Sequence, residues 1–207
     1  MRDLWERLDF WFTTHTLLSA EERGFRKGAA PADLAAAESA MNITFPGDFL
    51  QSWLIHDGQE HFWEFGWLPD GMGLLPISEI VKQWKTEYRY YLQYKAESEA
   101  FFSDWQEEGK IANAVFHPKR IPFASSEGEC SLWLDFAPGP KGTPGQVIFN
   151  VTECDFVVLG RSYREFFSRY LQLLETGRRV YDHESRSIIP ADHNIENYLV
   201  YWRELFR

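Results

Sequence analysis

Residues 121–160, IPFASSEGECSLWLDFAPGPKGTPGQVIFNVTECDFVVLG, decide the fold class. Four short runs in this stretch have strand character: 121–124, 131–136, 146–151 and 154–159. In the second run Leu132, Leu134 and Phe136 alternate with Ser131, Trp133 and Asp135. That two-residue period belongs to a strand with one apolar face. The Pro/Gly-rich 137–145 reads as a hairpin loop. Strands joined in quick succession by short connections predict an antiparallel meander.

The flanks are helical. Leu4, Leu8, Trp11 and Phe12 recur at helical spacing, predicting an amphipathic helix from residue 2 to about 14. Residues 19–30 are polar and punctuated by glycine, and read as a linker. Pro31 and Pro46 are each placed to open a helix, the first through Met41 and the second through about Leu54. Asp57-Gly58 marks a turn, and residues 61–68 alternate like a strand. From Ser78 a long helical pattern carries Ile80, Val81, Trp84, Tyr88, Tyr91 and Leu92. It continues in Phe101, Phe102 and Trp105, with a break expected near 94–99. Ser162 and Glu165 form a capping box ahead of Phe166, Phe167, Tyr170, Leu171 and Leu174, and Gly177 ends that helix. A last helix is expected over 195–206, capped by Asn194. Helices, then strands, then helices make an α+β fold. An antiparallel sheet of about five or six strands is expected, with N-terminal and C-terminal helices packed around it.

The order of several short motifs resembles the SUKH superfamily, the Smi/Knr-type fold. The motifs are Pro46-Gly47-Asp48-Phe49, His56-Asp57-Gly58, Gly73-Leu74-Leu75-Pro76-Ile77-Ser78-Glu79-Ile80, Ile121-Pro122-Phe123-Ala124, Leu132-Trp133-Leu134-Asp135-Phe136, Gly145-Gln146-Val147-Ile148, and the run from Leu159 to Phe167. The resemblance covers about 31–176 of a single domain spanning 1–207. Residues 1–30 and 178–207 stand as helical extensions of that core. It implies an α+β interaction domain with no characteristic catalytic activity. Bacterial members of the superfamily are largely immunity proteins that neutralise polymorphic toxins, and fungal members are interaction hubs.

The residues give little encouragement to chemistry. His56 and His61 lie five apart without a zinc-binding spacing, and the two cysteines, Cys130 and Cys154, form no CxxC pair. No metal, disulfide or cofactor is expected. Ser125-Ser126 lies beside Glu127 without a nucleophile-elbow context. Glu127 and Glu129 oppose formation of a Cys130 thiolate. Lys141 stands alone in a loop that lacks phosphate-loop spacing. The N-terminal stretch is interrupted by Asp3, Glu6 and Asp9, unlike a secretory signal, and no apolar run reaches the ~20 residues of a membrane helix. A cytoplasmic address follows as the expectation.

Charge points to the partner. The 207 residues hold 21 lysines and arginines against 31 acids, a net charge of −10. That balance argues against nucleic acid and for a basic protein partner. Residues 46–80 carry six acids and no lysine or arginine. The expected partner-binding residues are Asp57, Glu60, Glu64 and Asp70 with Trp63 and Trp67, joined by Trp133 and Asp135 on the strand face away from Leu132 and Leu134. Aromatics supply hot spots, and charges steer the encounter. The alternative is that the tryptophans pack into the core while the acids are simply solvated. Two functions compete: an immunity protein blocking a basic nuclease or deaminase toxin, and a regulatory scaffold binding an endogenous partner.

Overall fold

The computed structural model describes residues 1–61, 66–96, 109–126, 130–151, 155–192, 195 and 198–206. Six helices appear among them: α1 (Arg2–His15), α2 (Pro31–Met41), α3 (Gly47–Trp53), α4 (Ile77–Gln93), α5 (Tyr163–Glu175) and α6 (Tyr198–Leu205). Strands β1 (Gly73–Leu74), β2 (Arg120–Ser126), β3 (Cys130–Asp135), β4 (Gln146–Val151) and β5 (Asp155–Gly160) form one sheet in that order, every neighbour antiparallel. The α+β class and the meander follow the strand alternation. A second antiparallel pair, β6 (Arg179–Asp182) with β7 (Ser187–Pro190), lies where only helix was expected. Half of the strand anticipated over 61–68 falls on residues outside those described, and residues 61 and 66–68 are not in a strand; Phe101, Phe102, Trp105 and Asn194 also lie outside those described. Gly73 and Leu74 open the sheet instead.

The two faces of the sheet are covered differently. Leu132, Leu134, Val147, Phe149, Val157 and Leu159 point into the main core, shared with α1, α3 and α5. On the other face Trp133, Ile148 and Phe156 form a smaller cluster with Ile111. The alternation of β3 thus separates two layers, and Trp133 and Asp135 on the second are buried.

The N-terminal segment is built into the core. Leu4, Trp5, Leu8, Trp11 and Phe12 are buried. The Trp5 ring meets Phe25, His56, Trp67 and Phe167 at centroid distances of 4.6–5.9 Å. Trp5 Nε1 donates to Ser52 Oγ at 2.9 Å, and Arg7 is bonded twice to Glu175. Residues 19–30 are not a loose linker. Arg23 is buried against Asp9 at 2.5 Å, Phe25 bridges Gln59, and Gln59 in turn bonds Arg23 and Leu74. An arginine paired this way is held because an unpaired buried charge is costly.

Candidate functional site

The acidic segment folds into a mixed fate. Asp57 Oδ1 accepts from Ile77 N at 2.7 Å and so caps the start of α4. Its other oxygen lies 3.7 Å from Arg26 Nε, and Glu60 Oε2 lies 3.3 Å from Arg26 Nη1. Arg26, remote in sequence, therefore offsets part of the charge that 46–80 carries alone. Glu60 remains exposed; Asp57 is half-buried. Asp70 sits in a single 3-10 turn, Pro69–Gly71. Glu64 and Trp63 lie outside the described residues.

Three of the expected contact residues are buried, and their assignment to an exposed surface is corrected. Trp67 is 1% exposed, packed on Trp5, Phe167 and Tyr170, and its carbonyl accepts from Tyr170 Oη at 2.7 Å. Trp133 is 4% exposed against Phe156. Asp135 points away from Leu132 and Leu134, as its alternation requires, yet has no exposure. Its Oδ1 lies 3.6 Å from buried Arg120 Nε and accepts from Ala137 N, and its Oδ2 accepts from Gln146 Nε2 at 3.1 Å. Arg120 also donates to the carbonyls of Ala112 and Ala114. This pair staples the 110–115 segment over the second sheet face. His56 is likewise structural: its Nδ1 pairs with Arg26 O at 2.9 Å, and its ring packs on Trp5.

A site of which sequence reasoning named only Trp133 as a contact residue lies beside that staple. A groove of about 460 Å³ runs between α4 and the second face of β2, β3 and β4. Glu79, Lys82 and Glu87 line it from α4, Trp133 and Asn150 from the sheet, and Phe116 from the segment before β2. Lys82 Nζ is paired with Glu79 at 3.0 Å. Glu87 has no such partner among the described residues, and burial alone pushes its carboxyl up to about 7. One sequence signal could have found it. Glu87 stands three residues after buried Trp84 and one before Tyr88, so an acid occupies the inward stripe of an amphipathic helix. Asn150 carried no such signal, because its place depends on pairing with Ser131 across β3.

The family model for the SMI1/KNR4 family (SUKH-1) matches residues 28–169. The chain belongs to the SMI1/KNR4 family. The SUKH motifs prove to be packing devices in this structure. Asp48 Oδ2 accepts from Arg164 N at 2.8 Å, tying the start of α3 to α5. Gly58 has φ +69°, and a Cβ there would stand 2.4 Å from Pro76 N. Similar proteins include the glucan synthesis regulatory protein of Neurospora crassa, 29% identical over 89% of this chain and 40% of that protein. The cell wall biosynthesis/cell cycle regulator smi1 of Schizosaccharomyces pombe is 29% identical over 89% of this chain and 38% of its own length. The cell wall assembly regulator SMI1 of Saccharomyces cerevisiae is 23% identical over 84% and 40%. The chain therefore spans about two fifths of these SMI1/KNR4 relatives. Among the described residues no helix is long and apolar enough to cross a membrane.

Proposed function

We propose that this chain is a non-catalytic regulatory module that works by binding a basic protein partner, in the manner of a cell-wall-assembly regulator. The observation that carries the binding half is the open groove under α4. Its walls come from a helix and a sheet, and it holds a carboxyl group with no counter-ion among the described residues. The net charge of −10 supports a basic partner, because an acidic surface speeds encounter with one. The regulatory half is supported by the relatives, which are named as regulators of glucan synthesis and cell-wall assembly. Neutralising a toxin would use the same chemistry on another partner, but no observation on this molecule favours it over regulation.

The test is direct binding. The intact chain captures proteins from an extract of its own source, and each recovered protein is purified and re-measured alone at low and high salt. A basic protein that binds directly, with affinity falling as salt rises over the ~8–10 Å screening length, supports the reading. Failure of every purified candidate to bind, or binding indifferent to salt, overturns it.

A further inference from the structure

Three residues that line the groove under α4 each carry a polar atom with no hydrogen-bond partner among the described residues. The atoms are Glu87 Oε2 from the helix, Trp133 Nε1 from β3 and Asn150 Oδ1 from β4. All three are shut away from solvent, and the Trp133 side chain is the most deeply buried of the three. Trp133 pairs with Ile148 and Ser131 with Asn150, so Trp133 and Asn150 are diagonal neighbours on one sheet face. Glu87 reaches the same recess from the opposite wall. Folded interiors leave few buried polar groups unmatched, and a native exception calls for an explanation. Here all three belong to residues that line one recess, and a group entering it comes within reach of them once the Glu87 and Asn150 side chains turn toward it.

Their chemistry is specific. The three unmatched atoms are one N–H donor, one amide oxygen and one carboxyl oxygen. Lys82 is already engaged by Glu79, so an entering group meets a net negative site. An anion would be repelled by Glu87, and an apolar group would leave all three atoms unmatched. A guanidinium carries five N–H donors in a planar fork and can serve a carboxylate and an amide oxygen together. A peptide carbonyl supplies the acceptor that the indole lacks.

We infer that the groove is a pocket for an arginine side chain of the partner, with the guanidinium held between Glu87 and Asn150 and a backbone carbonyl of the same segment accepting from Trp133 Nε1. This rests on the reading of the chain as a basic-partner-binding module and deepens it. The arginine methylenes lie against Phe116 and Pro122, which line the same groove.

The probe is N-acetyl-arginine N-methylamide, with the neutral isostere N-acetyl-citrulline N-methylamide as control. Fragments of this size bind in roughly the millimolar range, so binding is followed by NMR. The readout is the indole N–H resonance of Trp133 in the intact chain, identified by its loss in Trp133→Phe. The arginine probe shifts that resonance saturably, and the citrulline probe binds about tenfold more weakly or worse, as expected when a charge-assisted pair is lost. Glu87→Gln, which keeps the shape, brings the arginine probe down to the citrulline level while leaving the unliganded spectrum elsewhere unchanged. No shift with the arginine probe, equal binding of the two probes, or full affinity in Glu87→Gln overturns the pocket. Those outcomes leave the wider reading standing if the purified partner still binds in a salt-dependent way. Loss of that partner binding is a separate failure.

Discussion

Asp135 and Glu87 are the two acids whose surroundings matter most, and they are opposites. Asp135 is fully buried but matched by Arg120, Ala137 and Gln146. Asp135→Ala leaves the Arg120 guanidinium buried without its counter-ion, which costs about 3–5 kcal/mol. The expected result is a lower urea midpoint with an unchanged slope, read by circular dichroism. Glu87 is unmatched among the described residues, and burial raises its carboxyl from an ordinary 4.5 to about 7. The folded state then holds a proton that the unfolded chain releases as pH climbs above 4.5. Folding stability therefore falls between about pH 4.5 and 7 and is flat above. The groove's other charges, Glu79 and Lys82, are paired with each other. Glu87→Gln removes this loss, so wild type should fall behind the variant by on the order of 2 kcal/mol from pH 4.5 to 7.5. Denaturant titrations of both proteins at several pH values check it; parallel curves would show that Glu87 is solvated.

At the scale of elements, the ends of helices are where local sequence speaks most clearly. Ser162 Oγ accepts from Glu165 N at 3.1 Å, as the capping box predicted. The reciprocal bond is displaced by one residue, since Glu165 Oε2 accepts from Arg161 N at 2.8 Å. Ser162→Ala should cost about 1 kcal/mol. Its measurement is the shift in thermal midpoint, and a much larger loss would mean that Ser162 does more than cap. The start of α4 is different, because its cap, Asp57, lies twenty residues upstream. Reversing Asp57 therefore tests folding before it tests binding. Glu60→Lys is the cleaner surface probe. It should leave stability within about 0.5 kcal/mol, as is usual for exposed positions, and a larger loss in a urea titration would place Glu60 in the fold.

For the whole molecule, the single large cluster runs from Met1 to Phe206. Removing residues 1–16 would strip Trp5 and Trp11 from α5, take Phe12 from Phe25 and expose the aromatic hub around Trp67. The truncated chain should lose cooperative unfolding and bind a hydrophobic dye; a sharp, native-like transition would show that α1 is dispensable. The sequence by itself determined the class of fold, the antiparallel meander, the helix starts at Pro31, Pro46 and Ser162, and the order of SUKH motifs. Those features rest on period, turn residues and caps, which are local and act within a few residues. Only the tertiary structure decided which polar residues meet water. The face of β3 with Trp133 and Asp135 looks outward by its alternation, yet Ile111 and Arg120 bury both residues from a neighbouring segment. Arg26 reaches across to Asp57 and Glu60, and α4 brings Glu87 to the groove that Asn150 also lines. Burial and charge pairing are relations between distant segments, so the alternation of one strand cannot reveal a second layer packed on its other side.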